Sequence, residues 1–455
     1  MKRKKITRRG FIANTTTVAA AFIIVPRYVL GGPGYVAPSD KLNIAGIGIG
    51  GKGSSDIRSV DSENIVALCD VDYKRGAGTF KRYPKAKKYK DFRVMLEKEY
   101  KNIDAVMVST PDHTHAVAAM AAIKMGKHVY CQKPLAHDVY EVRALTEAAR
   151  KYGVVTQMGI QIHATDGLKR GVEMIKSGLI GKVHKVDLWS CKGFVKGDIA
   201  KKFTAIPKDK VPDLPVPETL AWDLWLGPAP YRRYHPQYLP ASWRHWWDFG
   251  CGRLGDMGCH IMDPAFGALD LHAPYSIEAH PQPFSEELVP EGTVVRWEFA
   301  ARGDQPPVTM TWYDGYNMPF LPREAGQDFK LPSQGGLYYG DKGILLIPHR
   351  LLKTPPDKDL PTLLPVERMK DVKPPEQLFE RGIDHYQEWI RACKEGRQPS
   401  TNFDFSGPLT ETVLLGNVAA KAGERIFWDS ENMNITNMPE ANQYLRREYR
   451  KGWSL

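Results

Sequence analysis

The stretch Asn43-Ile44-Ala45-Gly46-Ile47-Gly48-Ile49-Gly50-Gly51-Lys52-Gly53 decides the fold. Its first five residues are apolar or small and read as a buried strand, and the glycines that follow read as a tight turn into a helix. Gly-x-Gly-x-x-Gly can be read from Gly46 or from Gly48; the register Gly48, Gly50, Gly53 leaves 43–47 a full strand before the turn. Glycines there let the backbone approach a pyrophosphate, which then sits on a helix N-terminus. Alone, the motif also fits an ordinary glycine-rich turn. A second apolar strand at 65–69, however, ends at Asp70, 22 residues past Gly48, where a carboxylate meets the hydroxyls of an adenosine ribose. Together they predict dinucleotide binding. Asp70 repels a 2′-phosphate, which favours NAD, while Lys74 and Arg75 nearby keep NADP open.

Outward from this stretch, short apolar runs at 105–109, 128–131 and 154–158 alternate with helical segments at 116–125 and 138–152. Asp138 with Glu141 forms a capping box, and Gly126 and Gly153 are stops. Alternation of strand and helix predicts a doubly wound parallel sheet, a Rossmann domain over residues 39–160. Beyond Gly181 the runs at 183–189, 294–299, 308–313, 337–339 and 344–347 suggest an open, largely antiparallel sheet, with Asp341-Lys342-Gly343 as a tight turn. Proline-rich stretches at 206–217 and 353–375 read as loops. Late helices fall at 383–394 and between Pro408 and Gly423. Residues 161–455 are therefore predicted to form an α+β domain for substrate and oligomerisation.

The chain has 455 residues, 42% hydrophobic and 25% charged, the composition of a folded globular protein. Its most apolar run, 18–25, falls well short of a bilayer span, so no stable membrane association is expected. The net charge of +11 is concentrated at the start: Lys2, Arg3, Lys4, Lys5, Arg8, Arg9 and Arg27 precede the first acidic residue, Asp40, and removing those seven leaves +4. That pattern argues for a targeting leader over residues 1–38 and against nucleic-acid binding. Within it Thr7-Arg8-Arg9-Gly10-Phe11-Ile12 resembles the twin-arginine export signal, with Ala13 where a lysine is frequent. The expected destination is the periplasm, and such a route carries proteins already folded. Six scattered cysteines without Cys-x-x-Cys spacing predict neither a disulfide scaffold nor a metal site.

Three constellations carry chemistry. Thr110-Pro111-Asp112-His113-Thr114-His115 and Cys131-Gln132-Lys133-Pro134 follow strands, where doubly wound sheets bind ligands. Lys133 also fits a surface lysine, and His113 and His115 fit loop and helix-start positions. In 255–263, helical spacing places Asp256, His260 and Asp263 on one face, after Gly250, Gly252 and Gly255, which permit close approach to a flat cofactor. Asp256 also fits a helix N-cap, His260 a satisfied buried histidine, and Pro264 disturbs the helix near Asp263. Eight aromatics crowd the 26 residues 222–247; most fit burial, and Trp243, Arg244 and Trp246 are the substrate candidates.

On these residues (the Gly48/Gly50/Gly53 turn, Asp70, Pro111 with His115, Gln132-Lys133-Pro134, and Asp256 with His260) the chain resembles the Gfo/Idh/MocA oxidoreductases over essentially everything after Lys41. The resemblance implies that Thr110, Pro111, His113, His115, Gln132 and Lys133 bind the nicotinamide cofactor with the glycine turn and Asp70. It further implies that Lys133 sits beside the nicotinamide and the substrate hydroxyl, in a motif beginning here with Gln132 in place of Glu. Alcohol oxidation needs a hydride acceptor, a base and something to hold the oxygen. Implied roles are NAD as acceptor, His260 as base, Lys133 as oxygen ligand and Asp256 as orienting group. The resemblance implies a sugar or glycoside substrate and a homo-oligomer. A glycosidase that uses NAD transiently is the alternative; a sugar-binding scaffold with an inactive Rossmann fold is opposed by the complete Lys133, Asp256 and His260.

Overall fold

The computed structural model describes residues 40–191, 206–349 and 360–455. The export-signal reading, and residues 353–359 of one expected loop, lie outside them. Strand β1 (Asn43–Ile47) is buried from Ile44 onward, as a central parallel strand covered on both faces must be. The chain then alternates: α1 (Lys52–Ser59), β2 (Asn64–Cys69), α2 (Tyr73–Arg82), β3 (Lys87–Tyr89), α3 (Phe92–Glu99), β4 (Ala105–Val108), α4 (Asp112–Lys124), β5 (His128–Gln132), α5 (Val139–Tyr152) and β6 (Thr156–Gly159). The strands form one parallel sheet in the order β3-β2-β1-β4-β5-β6. The order reverses between β1 and β4, which opens a crevice beyond their C-terminal ends. Helix α5 carries the expected capping box of Asp138 and Glu141 and ends at Gly153 with φ 63°. Two expectations shift. Helix α4 begins at Asp112, not at 116, because Pro111 takes the extended conformation of an N-cap and the polar residues after it are buried. Strand β3 escapes an apolar search because its Lys87 and Lys88 are exposed at the sheet edge.

The second half contains α6 (Asp166–Lys176), β7 (Val183–Ser190), α7 (Trp222–Leu226), α8 (Gly252–Leu269), β8 (Ser276–Pro281), β9 (Thr293–Phe299), β10 (Val308–Asp314), β11 (Gln334–Gly340), β12 (Gly343–Pro348), β13 (Thr362–Leu364), α9 (His385–Glu395), α10 (Phe403–Ala422), β14 (Ile426–Asp429) and β15 (Asn434–Ile435). Among the described residues its nine strands run β13-β12-β11-β7-β10-β9-β8-β14-β15. All neighbours are antiparallel except β7 and β10. Strand β13 and a 3-10 turn at Val366–Asp371 lie where only a loop was expected.

Two late segments return to the first sheet. On α9, Trp389 and Ile390 are buried with Ile44, Leu68 and Tyr130, and Tyr386 stacks on Tyr130 with ring centroids 5.3 Å apart. In the C-terminal tail, Arg447 pairs with Glu141 of α5 and donates to the carbonyl of His113 at 2.6 Å. Tyr449 donates to Glu141 at 2.7 Å, and Arg93 of α3 lies 4.3 Å from the Trp453 ring centre. Residues beyond 160 thus complete the core of the nucleotide-binding half. No helix among the described residues is long and apolar enough to cross a membrane.

Candidate active site

A cavity of about 920 Å³ runs along the crevice, lined at one end by Gly48, Gly50 and Asp70 and at the other by Lys133, Asp256 and His260. The glycine end is a cradle. Gly48 has φ +76°, and a Cβ on Gly53 would lie 1.8 Å from the Gly48 carbonyl oxygen, so the turn closes on α1 with no room for a side chain. Asp70 Oδ2 accepts from the backbone N–H of Ile49 (2.9 Å) and Gly50 (3.0 Å), which ties the end of β2 to this turn. Burial pushes its carboxyl up to about 6, and the backbone donors only partly offset that. Lys74, Arg75 and Lys90 line the same end. Thr110 lines the cavity too, and its Oγ1 is buried with no partner among the described residues. A side-chain-free cradle, a carboxylate and an uncommitted hydroxyl along one crevice fit a dinucleotide.

The middle is held by His115. Its Nδ1 lies 2.8 Å from the carbonyl of Pro134 and its Nε2 2.8 Å from that of Thr110, so one ring clamps the two motif loops together. At the far end, Lys133 Nζ donates to the backbone oxygen and to Oδ1 of Asp256, each at 2.6 Å. An ammonium has three donors, so one remains for another oxygen. Arg244 Nε donates to the same Oδ1 at 3.0 Å, and its guanidinium lies 4.2 Å from the Trp243 ring centre. Burial pushes Asp256 up, but Lys133 and Arg244 outweigh it and hold the carboxyl well below the usual carboxylate range. Asp256 lies inside α8, whose N-cap is Cys251, so it is not a cap. One helical turn on, His260 faces the same cavity, and its Nδ1 is buried with no partner among the described residues. It is not a satisfied core histidine. Burial, with Lys133 and His349 adding to it, holds the ring well below its ordinary value, so it stands neutral.

Several expected site residues lie elsewhere. His113 is fully buried, its ring nitrogens facing the carbonyls of Phe249 (3.2 Å) and Trp225 (2.9 Å); it docks the aromatic cluster and does not line the cavity. Trp246 is also fully buried, edge-on to Tyr238 with centroids 4.8 Å apart, and lies outside the cavity wall; its bulk serves that cluster. Asp263 turns to His163 Nδ1 at 2.9 Å. Gly250 approaches protein and not a cofactor: a Cβ there would be 2.6 Å from Cα of Arg244. Conversely, Lys52, Gln161 and His349 line the cavity without having been expected there. The His349 and His260 ring centres are 5.7 Å apart. A lone histidine after a strand carries no sequence signal; Lys52 adjoins the glycine turn and could have been suspected. Among the described residues no three His, Cys, Asp or Glu side chains gather as a metal would need.

Residues 42–160 match the description "Oxidoreductase family, NAD-binding Rossmann fold" and residues 166–301 match "Oxidoreductase family, C-terminal alpha/beta domain". The chain belongs to the Gfo/Idh/MocA oxidoreductase family. Within this family it is 28% identical to the myo-inositol 2-dehydrogenase of Thermotoga maritima over 151 residues, which are 33% of this chain and 45% of that protein. It is 26% identical to the levoglucosan dehydrogenase of Pseudarthrobacter phenanthrenivorans over 165 residues, 36% of this chain and 32% of that one. These alignments span less than half the length of the curated relatives. A solved levoglucosan dehydrogenase, in complex with NADH and levoglucosan, shares the fold with a TM-score of 0.56 at 17% identity, covering 85% of this chain and 99% of the other.

Proposed function

We propose that this protein is an exported, NAD-dependent oxidoreductase that takes hydride from a hydroxyl-bearing carbon of a sugar or glycoside. The observation that carries the reading is the far end of the cavity, where Lys133, Asp256 and His260 share one wall. Bound in the crevice, NAD supplies the hydride acceptor. Lys133, fixed by two bonds to Asp256, directs its remaining N–H at the substrate oxygen and stabilises the negative charge that develops there. His260, neutral and facing the same cavity, takes the hydroxyl proton. Asp256 keeps both cations in register, its Oδ1 engaged by Lys133 and Arg244. Trp243 and Arg244, in the same wall, present a flat apolar face and hydrogen-bond donors, as the ring and hydroxyls of a sugar require. The dehydrogenases of inositol and levoglucosan among the relatives support a polyhydroxylated substrate.

Incubation with a panel of polyols, sugars and aryl glycosides, following nicotinamide absorbance and released aglycone together, tests the reading. Net oxidation of the substrate, seen as reduction of the bound NAD or of an added acceptor, without aglycone release supports it. Aglycone release without net reduction shows the transient-oxidation glycosidase instead, and neither signal refutes both. Export through the twin-arginine route is part of the proposal and rests on Thr7–Ile12. Outside the cytoplasm a lost nucleotide is not replaced, so the enzyme retains NAD(H) through many turnovers, the bound NADH passing its hydride to a second sugar or an external acceptor. Protein from the periplasm carries near-stoichiometric nucleotide if this holds; an empty, freely exchanging site refutes retention.

A further inference from the structure

Asp56 lies midway along α1, fully buried, and four donors converge on it. Gln132 Nε2 (2.9 Å) and Ser109 Oγ (2.7 Å) reach Oδ2. The Tyr386 hydroxyl (2.6 Å) and Lys52 Nζ reach Oδ1. Lys52 Nζ also donates to the Tyr386 oxygen at 2.8 Å. Lys52, Ser109 and Gln132 line the cavity, whereas Asp56 does not; it holds three wall groups from behind. These groups come from α1, the end of β4 and the end of β5, and the last adjoins Lys133.

The chemistry of the pair is one-directional. An ionised carboxylate only accepts, so Gln132 must turn its amide nitrogen toward Asp56 and its Oε1 away. The amide also packs over Gly159, where a Cβ would lie 2.7 Å from Gln132 Cδ. A glutamate at 132 would set two carboxylates within hydrogen-bonding reach, and the two could not both stay ionised.

We propose that Asp56 is a positioning residue of the reacting end. From behind the wall it supplies the fixed negative charge that Gln132 does not carry, and it orients Gln132, Ser109 and Lys52 toward the nicotinamide half of the cofactor. The proposal rests on the assignment of Lys133 to the reacting end, but its test needs no sugar. Asp56→Asn, Gln132→Glu and the double variant are compared by NADH fluorescence titration, with thermal melting as the check on folding and kcat and KM measured where a substrate is in hand. Each single variant is expected to weaken NADH binding about tenfold, the scale of one buried group left without its partner. The double variant, which returns one carboxylate and one amide in exchanged places, is expected to recover most of that loss. Parental NADH affinity in Asp56→Asn, or a double variant no tighter than the weaker single while all melt normally, overturns the proposal. If Asp56→Asn does not fold, Gln132→Glu is set against Gln132→Leu: a charge clash makes Glu the weaker binder, and the reverse order overturns the proposal. Should the binding pattern hold while no sugar is oxidised, the functional reading fails and this one stands.

Discussion

Lys133→Met removes an ammonium while keeping an unbranched apolar stem, and its two consequences can be measured apart. For turnover, one preorganised donor at a reacting oxygen is worth about 10²–10³ in kcat. For stability, Asp256 loses its two bonds to Lys133 but keeps Arg244 at 3.0 Å. The cost therefore falls below the roughly 3–5 kcal/mol of orphaning a buried charge outright, at about 1–3 kcal/mol. The pH dependence follows from Asp256. A carboxyl held below its unfolded value stabilises the fold above that value, and the contribution is lost as pH falls through the folded one. Burial opposes this depression and Lys133 supplies the largest part of what overcomes it, so the variant begins to unfold at a higher pH on acidification. Steady-state assays by nicotinamide absorbance read the first and melts taken from neutral into acid the second, with NADH titration as the control. Near-parental turnover, or turnover lost together with NADH binding, refutes the assigned role.

His260→Ala should lower kcat about 10²–10⁴-fold with nucleotide affinity retained, as removal of a general base does. Because burial keeps that ring neutral, parental kcat should stay flat across the neutral range and fall only in acid; an acid limb near the ordinary histidine value of about 6.5 would contradict it. NAD affinity, measured by calorimetry, should hold above about 6 and weaken below it, as Asp70 takes up its proton. Arg447→Ala should cost about 3–5 kcal/mol in denaturant unfolding, because it leaves Glu141 and Asp138 buried without their cation.

The first sheet was legible because each central strand is an apolar run ended by a glycine or a polar turn, and its periodicity needs no tertiary information. Its edge was not: Lys87-Lys88-Tyr89 pairs with β2 while both lysines are exposed. In the site, Lys133, Asp256 and His260 converge as their motifs suggested, since Lys133 follows a strand end and the other two lie early in a helix, and the fold places both at one crevice. His113 and Trp246 misled because a motif position and an aromatic type do not say which way a side chain points. Asp56 was invisible for the opposite reason. Its partners lie at 52, 109, 132 and 386, and only the folded chain brings them together.

The return of α9 to the first sheet has a consequence for synthesis at the ribosome. The strands carrying Ile44, Leu68 and Tyr130 emerge early, yet the indole of Trp389 that covers them emerges some 250 residues after Tyr130. Until then one face of the nascent sheet stays apolar and open to wrong partners. The nucleotide-binding half therefore cannot close until α9 has been made. That late closure acts as a proofreading step: a chain that stops before Trp389 keeps its sheet uncovered.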